Sequence, residues 1–381
     1  MSAAMALGRR RARPILPFVA IAGLFAMALL PLDAADPTRL LAREGMAGPL
    51  LIAAMGLAIL LAIRARDLAA ILMLAFAAHA AAAVAIGLLP SLAGHAGAGF
   101  WAITVTGWLL AVMLVGALSA LKPRPGAAAF LLSLVIPFLF GLWLLILWQV
   151  VVVALRVPFV LLPPPSAIGA RIAVSLPTLA ADFRQTFLKA VVAGYAIGCG
   201  AGFLVALLVD RVDVLRRGLL PIGNLVSALP IVGIAPIMVM WFGFDWPSKA
   251  AVVVISTFFP MLVNTVTGLS AAQPISRDLM RTYAASHGQT LFKLRLPEAL
   301  PFIFNALKIN STLALIAAIV AEFFGTPIVG MGFRISTEVG RMNIDMVWAE
   351  IAVAALAGSA FYGVVALIER VATFWHPSFH S

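Results

Sequence analysis

Three groups of residues in this 381-residue chain have the types and spacing to do chemistry. The first lies in the polar stretch Ala271 to Leu300, AAQPISRDLMRTYAASHGQTLFKLRLPEAL. Asp278, Arg281, His287 and Gln289 offer charge and hydrogen bonds, while Ala284, Ala285, Ser286 and Gly288 are small enough for a tight bend. Bracketed by prolines, such a segment suits contact with a soluble partner and the passing of force. It equally suits an amphipathic helix at a membrane interface with a solvated basic face, in which His287 is an ordinary exposed loop residue. The second group is Arg334, Glu338, Arg341 and Asp345, at steps of four, three and four, which predict alternating charge on one helical face. That pattern is either a self-neutralising stripe or a surface for a partner. Glu322, just before it at the end of an apolar run, is either a gate residue, a partner contact or a plain interfacial charge. The third group is polar residues inside apolar runs: Asn224, Ser227, Ser256, Thr257, Asn264, Asn305, Asn310, Ser311 and Thr312. These either line a hydrated pathway or hydrogen-bond between helices.

Chemistry that the chain lacks is equally informative. Its one cysteine, Cys199, excludes a disulfide or a thiolate cluster within one chain. His79 and His95 are too isolated for a metal or catalytic site, so no metal is expected. No convergent nucleophile or acid–base set appears, as an acyltransferase or protease would need. A G-x-x-x-x-G-K-[ST] phosphate loop is absent as well.

The elements that must position these groups are membrane helices. The chain is 63% hydrophobic and 11% charged, against roughly 25% charged for an ordinary soluble protein. Its apolar residues come in long blocks; Ala127 to Val153 is far too long for a soluble strand. With three tyrosines there is no aromatic alternation of the barrel kind. The reading is an all-α integral membrane protein with about ten spans, near 15–32, 48–63, 68–90, 99–121, 129–153, 186–209, 219–242, 249–270, 301–324 and 348–369. Arg9, Arg10, Arg11 and Arg13 before the first run resemble a signal peptide, but the run is long enough for a span and is read as one. Pro230 and Pro236 break the seventh span.

The net charge of +11 would suggest nucleic acid in a soluble protein, but here the basic residues sit in short loops between apolar blocks. With the N-terminus inside, sixteen Lys and Arg and six acids fall on the inner side, against nine of each outside. Lys308, within a span, supplies the remainder. The asymmetry predicts cytoplasmic N- and C-termini. The hinge Lys122-Pro-Arg-Pro-Gly126 divides a four-helix N-terminal extension, residues 1–126, from a domain of residues 127–381 that holds the longer polar loops. Within loop 271–300, Pro274 is expected to end the preceding span, Ser276 to cap a short helix with Asp278 in its first turn, and Pro297 and Pro301 to restart the next span.

This loop resembles the cytoplasmic coupling loop of ABC importer permeases. Their pattern is Glu-Ala-Ala, three residues, Gly, nine residues, Ile, one residue, Leu-Pro; here Asp278-Leu279-Met280, Ala284, Leu294 and Leu296-Pro297 fill those positions. Alanine in place of the glycine predicts that the left-handed bend is lost at 284, with Gly288 serving instead. Leu162-Pro-Pro-Pro-Ser166, Ala228 to Pro236 with Trp241-Phe-Gly-Phe244, Phe258-Phe-Pro260 with Asn264-Thr265 and Gly268-Leu269, Ala321 to Gly325 with Gly330-Met-Gly332, and Glu369-Arg370 with Trp375 resemble, in order, the nitrate, sulfonate, taurine and pyrimidine-precursor branch of that family. The resemblance covers about residues 130–376 and leaves the four N-terminal spans outside.

The resemblance implies a six-helix type I importer permease core with four extra helices, in a bacterial inner membrane and in contact with lipid. It implies a homodimer or pseudo-dimer of permeases, a cytoplasmic ATPase dimer that binds ATP and Mg, and an extracytoplasmic substrate-binding protein. No cofactor is expected in this chain, and no nucleic acid. Asp278, Arg281, Ala284, Ala285, Ser286, His287, Gly288 and Gln289 would couple to the ATPase. Glu322, Arg334, Glu338 and Arg341 would form an outer gate or meet the binding protein. The solute would be a small polar or aromatic organic molecule, with Gly325 to Ser336 closer to permeases for pyrimidine or vitamin-type heterocycles than to taurine permeases. A secondary transporter is the alternative; it would carry ionisable residues mid-membrane, where only Lys308 is found.

Overall fold

The computed structural model describes residues 15–64, 68–121, 123, 126–227, 230–325 and 328–375, without the side chains of Ile15, Arg64, Asp213, Leu220, Asn224, Leu225 and Ser227. Regular structure among them is helical, apart from isolated bridges joining Pro31 to Leu40 and Asp33 to Ala96. Among the described residues seven helices are long and apolar enough to cross a membrane, and three shorter apolar helices accompany them. Together they fall on the ten predicted spans. Large apolar side chains point outward along them, such as Phe138, Leu204 and Met240, the reverse of a water-soluble surface.

The chain forms two compact units, Met1–Ala167 and Ile168–Ser381. The first contains α1 (Ile15–Leu29), α2 (Ala47–Arg64), α3 (Leu68–Leu92), α4 (Ala98–Ser119) and α5 (Ala127–Ala154). Its core is built on alanines of α3, which let large neighbours close in: Met27, Met55, Phe100, Ile103, Leu110 and Trp143 are buried around them. Trp143 of α5 meets His79 of α3 and Trp108 of α4 edge-on. Thus α5, grouped by the sequence reading with the domain that follows, packs on α3 and α4. The predicted hinge residues Lys122, Arg124 and Pro125 lie outside the described residues.

α6 (Pro165–Val174) carries the chain from the first unit into the second. A continuous rod then runs Leu176–Arg211: α7 (Leu176–Phe183), a π-helical stretch Arg184–Val191 and α8 (Val192–Arg211). It starts ten residues before the predicted span, because Asp182 and Gln185 in its first part find polar partners. Next come α9 (Asp213–Ser227) and α10 (Ile231–Phe242), with Pro230 at the start of α10, so the proline-broken seventh span is two helices. α11 (Trp246–Ser270) follows, then α12 (Pro274–Thr282), α13 (His287–Thr290), a π-helical turn Leu291–Arg295 and α14 (Leu296–Glu322). α15 (Met331–Gly340) and α16 (Ile344–Ala372) complete the unit.

The centre of the second unit is α11 packed between α8 and α14. Gly194, Gly198 and Gly202 of α8 recur every four residues on the face toward α11. A Cβ added to them would lie 2.6 Å from Val253 Cβ, 2.1 Å from Thr257 Oγ1 and 2.5 Å from the Phe258 carbonyl oxygen. Only glycine permits this backbone approach, the device by which membrane helices pack without a hydrophobic driving force.

Candidate functional site

Loop 271–300 is a two-helix hairpin whose corner is fully specified by local hydrogen bonds. α11 already ends at Ser270, and Pro274 opens α12 at its first position, with Gln273 as the cap. Ser276 and Asp278 therefore lie within the helix, not at its cap and first turn as expected. A proline's fixed φ pre-forms the first turn, so no side-chain cap is needed. Asp278 instead faces Arg281 across one turn at 3.5 Å.

At the other end of α12 the Ala284 amide donates to the Arg281 carbonyl at 2.9 Å and the Ala285 amide to the Met280 carbonyl at 3.0 Å. This is a Schellman closure, and Ala284 sits at its left-handed position with φ 51°. The expected loss of that bend is overturned: alanine occupies it, and Gly288 lies inside α13. Two paired hydrogen bonds hold the alanine there against its preference. Ser286 then caps α13, taking the Gln289 amide on its Oγ at 3.2 Å while Gln289 Oε1 accepts the Ser286 amide at 2.8 Å, a capping box. His287 and Gly288 are exposed between them. From His287 the chain is helical through the π turn into α14, so Pro297 and Pro301 sit inside a continuous helix and restart nothing. Asp278, Arg281, Ala284, Ala285, Ser286, His287, Gly288 and Gln289 thus share one exposed to half-buried corner.

At the far end of α14 lies a buried polar network. Glu322 is 2% exposed, so it is no interfacial charge. Its carboxylate accepts Thr186 Oγ1 at 2.7 Å and the Gly332 amide at 2.7 Å. Thr186 in turn accepts the Met331 amide at 2.8 Å. Asp182 takes the Gly330 amide at 2.7 Å and Arg334 Nε at 2.8 Å. That carboxylate raises the affinity of the Arg334 guanidinium for its proton above the ordinary arginine value. Lys249, 1% exposed, donates to the carbonyls of Phe244 and Gly325. Glu350 of α16 is buried as well, and neither of its carboxylate oxygens has a hydrogen-bond partner among the described residues. Beside the network a cavity of about 710 Å³ is lined by Arg184, Gln185, Lys189, Phe244 and Asp245. Lys189 donates to Gln185, and Gln185 to Asp245. The Trp246 amide, with help from Gln185, holds the Asp245 carboxyl below the usual carboxylate range.

The predicted charge stripe is not formed. The helix stops at Gly340, Met342 turns left-handed at φ 60°, and Asp345 lies in the first turn of a different helix. Arg334 pairs with Asp182, Arg341 with Glu338 at 3.1 Å, and Asp345 with Arg171 at 2.7 Å. Asp182, Thr186, Lys249 and Glu350 were not singled out from the sequence. They lie on three helices distant in sequence, the rod Leu176–Arg211, α11 and α16, and only the fold brings them together.

Polar residues within the spans divide. Thr257, Asn310 and Ser311 are fully buried between helices; Asn310 Nδ2 donates to the Thr257 carbonyl at 2.8 Å and to Cys199 Sγ at 3.3 Å. Ser256 and Asn264 are half-buried and bond back to their own helix. Asn305 and Thr312 lie on the open face of α14, with Phe302, Ile309 and Ile316. The side chains of Asn224 and Ser227 lie outside the described residues. Lys308 is paired with Glu369 of α16 at 2.7 Å.

Residues 194–373, all in the second unit, match the family described as binding-protein-dependent transport system inner membrane component. Formylaminopyrimidine transport permease protein ThiX of Halalkalibacterium halodurans is 30% identical over 239 residues, covering 63% of this chain and 95% of that protein. A probable ABC transporter permease protein of Haemophilus influenzae is 31% identical over 206 residues, 54% of this chain and 83% of its own. Riboflavin transport system permease protein RibX of Chloroflexus aurantiacus is 27% identical over 236 residues, 62% and 88% respectively. The membrane helices and these relatives agree: the chain belongs to the binding-protein-dependent transport inner membrane component family, as a multi-pass membrane transport component and not an enzyme.

Proposed function

We propose that this chain is the membrane-spanning permease of an ATP-driven, binding-protein-dependent importer for a small organic solute. The observation that carries the reading is the corner of loop 271–300, a self-locked two-helix projection at the position of the family's coupling pattern. Rigid local bonding lets such a projection transmit displacement instead of absorbing it. Asp278, Arg281 and Ala284 to Gln289 form its contact surface for an ATPase dimer that holds ATP and Mg in separate chains. The permease works as a homodimer or pseudo-dimer in lipid, with both termini and loop 271–300 in the cytoplasm. The N-terminal four helices are an addition to a core of six. Glu322, Arg334, Glu338 and Arg341 act as an outer gate or meet the binding protein. Asn305 and Thr312, on the open face of α14, are the pathway residues best supported by geometry.

For the solute, a pyrimidine or vitamin-type heterocycle is favoured, since relatives named for formylaminopyrimidine and riboflavin are among the similar proteins. Permeases named for sulfonates and taurine are similar at 27% and 26% identity. The test is purification from membranes followed by reconstitution with the partner ATPase and binding protein. ATP-dependent uptake that vanadate stops is expected. Recovery without any ATPase, with uptake indifferent to vanadate, would instead establish a secondary transporter.

A further inference from the structure

We propose that Arg295 is a positioning residue for the ATP-driven step, locking loop 271–300 to the ends of α8 and α11 through Asp210 so that the loop and both spans move as one. The inference rests on the importer reading above. The family pattern leaves position 295 open, between Leu294 and Leu296, so nothing in the motif assigns it a role.

Arg295 Nη1 and Nη2 donate to the two carboxylate oxygens of Asp210 at 2.7 and 2.6 Å. Its Nε donates to the Leu269 carbonyl at 3.0 Å. One guanidinium therefore joins three segments: the π turn entering α14, the last turn of α8 and the last turn of α11. The pair is withdrawn from water, with side chains 14% and 3% exposed. Two more arginines converge on the same helix end. Arg277 of α12 donates to the Ser270 carbonyl at 2.7 Å, and Arg216 of α9 to Ser270 Oγ at 3.0 Å. The last carbonyls of a helix lack partners within it and carry partial negative charge, so cations are stabilising there.

The contrast within the loop is informative. At the exposed corner the Asp278–Arg281 pair stands at 3.5 Å with side chains 69% and 83% exposed. At the base the charges are buried, bidentate and aimed at the span ends. A planar fork fixes direction as well as distance, which a lysine ammonium does not. Displacement of the corner is thereby passed to α8 and α11, the most closely packed pair of spans together with α14.

The experiment uses the whole complex, permease with ATPase and binding protein, in proteoliposomes, and reads solute uptake per ATP hydrolysed. R295A and D210N are expected to lower that ratio about tenfold with the ATPase still bound, R295K to fall between, and the D210R/R295D exchange to recover to within about threefold of the parent. A ratio within about twofold of the parent in R295A and D210N overturns the proposal, as does an exchange that recovers nothing. If R295A is not recovered from membranes, D210N, which keeps shape and removes charge, decides in the same way. A parent complex that takes up solute without ATP hydrolysis fails the importer reading itself. A parent that couples, with variants that couple equally, fails only this proposal.

Discussion

Ala284 holds φ 51°, where a Cβ crowds the neighbouring carbonyl at a cost of about 1–2 kcal/mol for a non-glycine residue. Ala284→Gly should therefore stabilise the corner of the loop by about 1 kcal/mol or less, after the greater freedom of glycine in the unfolded chain is counted. Amide exchange at Ala285 and Gln289 reads this directly, and unchanged or faster exchange there would refute it. Ala284→Val should open the corner instead. The opposite end of α14 is sensitive for another reason. Asp182 is 0% exposed and holds both the Gly330 amide and Arg334. Arg334→Ala leaves that carboxylate without its cation, a loss of about 3–5 kcal/mol by the general behaviour of broken buried pairs. Thermal unfolding in detergent should show a clear fall, well beyond that of Arg341→Ala, whose guanidinium is 64% exposed. At this scale the sequence was only half legible. Small residues marked the corner, yet the glycine rule predicted the wrong geometry, because two backbone hydrogen bonds outweigh a single Cβ contact.

The ten helices that carry the membrane assignment were legible because an apolar run needs no tertiary knowledge to be recognised. Their ends were less so. The rod Leu176–Arg211 extends past the apolar run since Asp182 and Gln185 are satisfied by α15 and by Asp245, partners distant in sequence. Likewise Arg334 to Asp345 has a helical period but not one helix, since Met342 turns the chain. Packing of α8 on α11 rests on Gly194, Gly198 and Gly202. Gly198→Val would put methyl groups into Thr257 and the α11 backbone, where overpacking costs at least about 1–3 kcal/mol. Gly200→Val, whose added Cβ meets nothing within 4 Å, is the matched control. Loss of monodisperse protein in detergent for the first and not the second is expected; equal behaviour would show that the close approach is not required.

At the scale of the whole molecule, the family match lies inside the second unit, while the first is built on its own alanine-rich core. α5 belongs to that core through Trp143, Val150 and Ala154. Removing residues 1–126 would strip α3 and α4 from α5 and leave Trp143, now 2% exposed, uncovered. Such a truncation should give poor yield and aggregation on size exclusion, whereas a well-behaved product would mean that the extension is dispensable for folding. The sequence divided the chain at its proline-rich hinge because composition changes there; which helix packs on which is set by side-chain contacts that composition does not carry. Cys199, meanwhile, is the one sulfhydryl of the chain, buried at 4% exposure and accepting a hydrogen bond from Asn310. A membrane-permeant maleimide will therefore find almost nothing to react with in the native protein. Single cysteines placed along the open face of α14, at Asn305 or Thr312, become clean optical or spin reporters of water access during the transport cycle, with no prior removal of natural thiols.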